Sequence, residues 1–301
     1  MSARFFCSDA SVARDEPLHG TASTVRRWIG VEQSGPWGPK ALQESRLGED
    51  ASARLRAVGR AVGARVLLIR RHGRYEQRGH EVRVAFTGRD RRWLEALRFE
   101  TTEELLAHDF ASLRRGRSVG GERLDHLELF VCTHGKHDPC CARKGRAIAE
   151  ALQPELGDRV WETSHIGGDR FAGNLLALPL GVYYGRVEPA QAVRLARRLD
   201  EGLLDLAHYR GRSSYPFAAQ AAEWLVREKL TLHAFDALQL TEHAENTDHD
   251  DALSVSTFRL RDGSHVRATV EETAAAPAQL TCHADAEHRA PRYALRELTE
   301  V

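Results

Sequence analysis

Between His126 and Gly211 the chain changes element type in an order that few folds accommodate. "HLELFVC" (His126–Cys132) has the apolar, β-branched character of a strand. "CARKGRAIAEALQ" (Cys141–Gln153) places Ala147, Ile148, Ala151 and Leu152 on one helical face. "RVWETSH" (Arg159–His165) reads as a second strand, and "NLLALPLGVYYGRV" (Asn174–Val187) as two strands joined at the "PLG" turn. A long helix is then predicted over Glu188–Gly211, with Pro189 at its first position and Gly211 just past its end. Strand, helix, strand, hairpin, helix defines an α/β unit with a mixed sheet.

That order matches a thioredoxin-like topology. The flanking segments read as follows. Residues 1–40 look irregular and turn-rich, and "ALQESRL" (Ala41–Leu47) and "ASARLRAVGRAVGA" (Ala51–Ala64) look helical. "RVLLIRR" (Arg65–Arg71) and "HEVRVAFTG" (His80–Gly88) are strands, and "TTEELLAHDF" (Thr101–Phe110) is a Thr-capped helix. A Gly- and Arg-rich connector over Arg114–Leu124 suggests a boundary. After it, "FAAQAAEWLVREKL" (Phe217–Leu230) is helical, and Ala252–Glu272 is a strand, a "DG" turn and a strand. The last 26 residues add one or two strands, and "TEHAENTDHDD" (Thr241–Asp251) reads as a solvated acidic loop. The expectation is three units: 1–119, a degenerate thioredoxin-like copy; 120–212, the thioredoxin-like domain; and 213–301, a small α+β appendage.

Lys plus Arg balances Asp plus Glu at 43 each, so no excess positive charge is available for general nucleic-acid binding. No apolar run is long enough for a bilayer, and the N-terminus lacks a signal-peptide core, so a cytoplasmic setting is expected. In a reducing compartment clustered cysteines serve as metal ligands or reactive thiols more often than as disulfides.

Such a cluster exists. "FVCTHGKHDPCCA" (Phe130–Ala142) carries three of the five cysteines, Cys132, Cys140 and Cys141, together with His134 and His137. Cys132 ends the first strand and Cys141 opens the next helix, at the carboxyl edge of the sheet where α/β sites are built. A helix N-terminus favours the thiolate that binds iron or zinc. His165 ends the second strand at the same edge. "SHIGGDRFAGN" then supplies Gly167 and Gly168 for a sharp bend, and Asp169 four residues after His165. Two cysteines and two groups from the next loop make four ligands, the number a [2Fe–2S] cluster needs. Zinc is the rival ion for such a set. His134 and His137 read as loop or supporting residues, and Arg170 and Asn174 as candidates to brace the loop.

"CTHGKHDPCCA", "SHIGGDRFAGN" and "GVYYGR" resemble the sucrase/ferredoxin-like family, whose characterised relatives are thioredoxin-like [2Fe–2S] proteins. The resemblance is strong over residues 125–190, reaches weakly to "GPWGPKAL", and no motif carries it past about residue 215. It implies that Cys132 and Cys141 bind one iron and that two histidines spaced H-x-x-x-H bind the other. Here the first is His165 and the second position holds Asp169. The fourth ligand is then Asp169 through oxygen or Cys140 through sulfur. No pair of carboxylates stands out for glycoside hydrolysis.

The expected function is a non-enzymatic electron carrier passing single electrons between a separate reductase and an acceptor, since no flavin or nicotinamide motif is recognisable. A neutral imidazole at His165 is expected to make the potential pH-dependent. The alternatives are a thiol redox enzyme acting through Cys132, Cys140 or Cys141, which lacks the usual C-x-x-C pair, and a zinc-stabilised interaction protein. Cys7 and Cys282 lie far from the cluster in sequence. "CHADAEH" (Cys282–His288) reads as exposed residues at a strand end.

Overall fold

The computed structural model describes residues 4–246 and 252–301. In chain order these form α1 (Cys7–Ala13), β1 (Arg27–Glu32), α2 (Glu49–Val62), β2 (Arg65–Arg70), β3 (His80–Thr87), β4 (Arg92–Phe99), α3 (Thr102–Ala107) and β5 (Glu122–Leu124). There follow β6 (Glu128–Cys132), α4 (Pro139–Leu156), β7 (Val160–Thr163), β8 (Leu175–Leu178), β9 (Val182–Tyr184), α5 (Pro189–Asp200), β10 (Tyr209–Arg212) and α6 (Phe217–Leu230). The last four strands are β11 (Leu238–Asn246), β12 (Ala252–Leu260), β13 (His265–Ala274) and β14 (Pro291–Glu300).

Ten strands make one continuous sheet in the order β10-β9-β8-β6-β7-β2-β1-β3-β4-β5. Each half of it has the same wiring. In the second half β6 runs parallel to β7 and antiparallel to β8, which pairs with β9. In the first half β1 runs parallel to β2 and antiparallel to β3, which pairs with β4. A helix links each parallel pair, α4 in one half and α2 in the other. This is the thioredoxin-like strand order twice over, as expected for a duplicated unit. The halves meet where β2 and β7 run antiparallel, through Ile69 opposite Thr163 and Arg70 opposite Glu162. That seam is cemented by Arg70, whose Nη2 donates to Glu162 Oε2 at 2.7 Å, while Thr133 Oγ1 donates to the same oxygen at 2.8 Å.

Strand β6 is buried at every position; Glu128 at its start pairs with Arg83, and the residues after it present an apolar side chain to each face. Leu129 and Val131 face a core built with Ile148, Leu152, Ala192 and Leu195 of α4 and α5. Phe130 and Cys132 face another, with Trp28, Trp161 and Tyr183. Helix α4 begins where Asp138 caps it, Oδ1 accepting from the Cys140 N–H at 2.9 Å, with Pro139 in its first turn. Its buried stripe Cys141, Gly145, Ile148, Ala149, Leu152 follows the helical period.

The remaining four strands form a separate antiparallel sheet in order β11-β12-β13-β14, with α6 packed on it through Ala218, Ala222 and Val226. Inside, Glu223 accepts from Arg212 Nε at 2.8 Å, Arg227 Nε at 3.0 Å and Tyr209 Oη at 2.8 Å.

Four sequence expectations need correction. Residues 41–47 form turns instead of a helix; Ala41, Leu42 and Leu47 pack onto the N-terminal core, and tertiary packing overrides the weak helical preference of so short a segment. The helix predicted over 188–211 stops at Asp200, beyond which Gly202 takes φ +75°, and Tyr209–Arg212 instead extends the sheet as β10. Strand β1 lies in a stretch read as irregular; buried on both sides, it shows no alternation to detect. Of the predicted acidic loop, residues 241–246 belong to β11, and 247–251 lie outside the described residues.

Candidate metal centre

The corner between β6 and α4 is unusually tight. Gly145 is the reason: a Cβ there would stand 2.1 Å from the Cys132 carbonyl oxygen, so only hydrogen allows α4 to close on the strand end. The approach sets Cys141 beside Cys132. Interaction with the Cys141 thiol draws the Cys132 thiol below its ordinary range, against the effect of burial, with His165 assisting. The same interaction, then burial, pushes Cys141 well above it. Both thiols are 1% exposed.

The loop after β7 carries the remaining donors. Asp169 is buried and uses one oxygen twice: Oδ1 lies 2.9 Å from His165 Nδ1 and 3.2 Å from Cys141 Sγ. Burial pushes its carboxyl up, but the hydrogen bonds from His165 and Cys141 outweigh it and hold the group below the usual carboxylate range. His137 closes the set. Its Nε2 is 3.7 Å from Asp169 Oδ2, and its ring lies against His165 with centroids 3.9 Å apart. Burial and then the nearby His165 depress His137.

The loop is held from below and behind. Asn174 Nδ2 donates to the Gly168 carbonyl at 2.8 Å. The buried Arg210 donates through Nη1 to Gly167 O at 2.9 Å and to Asn174 Oδ1 at 2.8 Å. Gly168 sits at φ +79° with the Arg210 guanidinium where a Cβ would be. Arg170, the other expected brace, pairs with Glu16 at 2.6 Å. The N-terminal half closes the front: His134 Nε2 meets the Gly38 carbonyl at 2.8 Å, and His137 Nδ1 faces the Pro39 carbonyl at 3.4 Å. "GPWGPK" therefore contributes backbone to the site.

The structure thus places Asp169 against both Cys141 and His165, with His137 beside them, while Cys132 stands at the end of β6. It separates Cys140 from them. That thiol turns away to meet Cys7 and Cys282, at 3.7 and 3.4 Å. Neighbouring positions on a helix point about 100° apart, so Cys140 and Cys141 serve different places. His137 was visible in the motif; its role was not, because the tight loop that returns it to His165 leaves no periodic signal. Two thiols, a carboxylate and imidazoles in one group suit iron or zinc chemically.

Fold and site together define a duplicated thioredoxin-like α/β protein with a thiol, imidazole and carboxylate group at a strand–helix corner. The chain belongs to the sucrase/ferredoxin-like family, which matches residues 18–211. It is 30% identical over 98 residues to altered inheritance of mitochondria protein 32 of Candida glabrata, covering 28% of this chain and 31% of that protein. The chain therefore spans about a third of that curated relative's length. It also aligns with the crystal structure of a variant of the thioredoxin-like [2Fe–2S] ferredoxin from Aquifex aeolicus, at 18% identity and TM-score 0.27, over 29% of this chain and all of that one. Among the described residues no helix is long and apolar enough to cross a membrane.

Proposed function

We propose that this chain is an electron-transfer protein whose [2Fe–2S] cluster is held by Cys132 and Cys141 on one side and by His165 with Asp169 on the other. The observation that carries the reading is the Asp169 carboxylate, which touches both the Cys141 thiol and the His165 imidazole and so joins the two halves of a ligand set. Membership of the sucrase/ferredoxin-like family supports it. When bound, the cluster supplies one-electron oxidation and reduction.

The protein's part is positioning. Burial keeps water from the two sulfurs. Asp169 Oδ1 holds the proton on His165 Nδ1 and leaves Nε2 with its lone pair for metal. The side chains of His137 and His165 are 38% and 26% exposed, and they make the only solvent-facing edge of the group, where a reductase and an acceptor would dock. His137 competes with Asp169 for the fourth position.

One observation favours a second reading. Separations of 2.9 and 3.2 Å from Asp169 Oδ1 approach the ligand–ligand edges of about 3.3–3.5 Å around a single tetrahedral zinc. Iron, acid-labile sulfide and zinc in full-length protein purified without oxygen, with visible and EPR spectra, decide between them. The proposal expects about two irons and two sulfides per chain, lost in Cys132→Ser and spectrally altered in Asp169→Asn or His137→Gln. Protein that stays iron-free after reconstitution refutes it. Zinc that depends on Cys132 installs the second reading, and a colourless protein with a titratable Cys132–Cys141 disulfide installs a thiol enzyme.

A further inference from the structure

Cys7, Cys140 and Cys282 come from three remote parts of the chain, with sequence separations of 133, 142 and 275 residues, yet their sulfurs form a nearly equilateral triangle. Its sides are 3.7 Å for Cys7–Cys140, 3.4 Å for Cys140–Cys282 and 3.5 Å for Cys7–Cys282. Asp138 completes the group. Its Oδ2 lies 3.6 Å from Cys7 Sγ and 3.0 Å from the Cys282 N–H, while Oδ1 caps α4. The ligand atoms of all four residues lie within 4.8 Å of one another.

From this geometry we infer a second metal site, independent of the one at Cys132, in which Cys7, Cys140, Cys282 and Asp138 bind one tetrahedral zinc ion. Zinc–sulfur bonds of about 2.3 Å separate two sulfurs by about 3.8 Å, and a sulfur from an oxygen ligand by about 3.5 Å. The triangle and the Asp138 contact fall close to both. A disulfide would instead draw one pair to about 2.05 Å and leave the third sulfur apart, whereas all three sides here are alike and all five cysteines are free. The surroundings suit thiolates. The Cys7 N–H donates to Cys282 Sγ at 3.4 Å. Arg143, held on Ser8 Oγ at 3.2 Å and ion-paired with Asp9, lies beside the cluster. Cys7 and Cys140 are 0% exposed and Asp138 1%, while Cys282 closes the site from a loop between β13 and β14. Binding replaces the three thiol protons by one dication and releases them to solvent. The ion would pin α1 and the C-terminal loop to the start of α4.

The test uses full-length protein made and kept without oxygen, with zinc measured by plasma mass spectrometry and cobalt(II) titrated as a spectroscopic substitute. Wild type is compared with Cys282→Ser, whose loop position spares the fold, with Cys7→Ser, and with Cys132→Ser. One zinc per wild-type chain is expected, with sulfur-to-cobalt charge-transfer and tetrahedral d–d bands. Cys132→Ser should retain that zinc, and Cys282→Ser and Cys7→Ser should bind at least tenfold more weakly. Cys282→Ser should keep its iron and sulfide, which separates this site from the proposed cluster. The inference falls if wild type shows no thiolate–cobalt bands, if Cys282→Ser binds like wild type, if zinc follows Cys132 instead, or if oxygen-free protein carries a disulfide among the three cysteines.

Discussion

Replacing Gly145 with alanine sets two effects of opposite sign against each other. Within a helix the change should stabilise by about 1 kcal/mol, because glycine is a poor helix former. Here the new methyl would lie 2.1 Å from the Cys132 carbonyl oxygen and 3.0 Å from its carbon, both backbone atoms that cannot rotate away. Ordinary contact begins near 3.4 Å, so helix and strand must part by roughly 1.3 Å. Overpacking of this kind costs about 1–3 kcal/mol or more, which exceeds the propensity gain. An unfolding entropy of about 2.1 cal/mol/K per residue gives roughly 0.6 kcal/mol/K for 301 residues. A cost at the upper end of that range leaves a net loss of about 2 kcal/mol, which lowers Tm by about 3 °C. The larger consequence is local: the same displacement carries Cys141 away from Cys132. Calorimetry of Gly145→Ala should show the small drop in Tm, while iron content after reconstitution falls several-fold. A variant that is as stable as wild type, or more so, and loads iron fully would show that the close approach of α4 to β6 does not set the thiol spacing.

Three further outcomes are expected. Glu223→Gln leaves Arg212 and Arg227 buried without their counter-ion, which costs about 3–5 kcal/mol; thermal melts would detect it as a drop of about 5–8 °C. In wild type the Glu223 carboxyl is held low, since burial raises it but the two guanidiniums lower it further. Its contribution is therefore present above the ordinary carboxylate range and lost as pH falls through the depressed value, so the acid limb of a pH–stability curve should flatten in the variant. His19, stacked on Trp224 with ring centroids 4.2 Å apart, is pushed down to about 4 by burial. A depressed imidazole favours the folded state above pH 6.5 and loses that advantage as pH falls toward 4, up to about 3 kcal/mol; urea midpoints of His19→Phe across this window should lose that slope. Arg210→Lys keeps the charge but not the fork that grips Gly167 and Asn174. Hydrogen exchange over residues 165–170 should quicken and iron loading fall, with little change elsewhere.

The second half of the fold was legible because its elements carry strong local signals: the capped, periodic α4 and the "PLG" hairpin. The first half was less so. Strand β1 has Ile29 and Val31 in one core and Trp28 in another, and a strand covered on both faces has no alternation to read. At the candidate site, the nearness of Cys141, His165 and Asp169 could be expected from their places at a strand–helix corner and the loop after β7. That of Cys7 and Cys282 could not, because 275 residues separate them and only tertiary packing makes them neighbours. Cys140 was misgrouped for the converse reason, since adjacency in sequence hid a rotation about the helix axis.

The join between β2 and β7 bears on how this architecture can be taken apart. All four residues of β7 are buried, and its outer neighbour belongs to the other half. A fragment cut to 120–212 would bare a short, sticky rim with unsatisfied peptide groups and the flank of Trp161, inviting self-association. It would also remove Arg70 from Glu162, the carboxylate on which Thr133, next to Cys132, rests. Each half thus acts as the other's edge protection, and a half on its own would need a partner, a cap or a different surface.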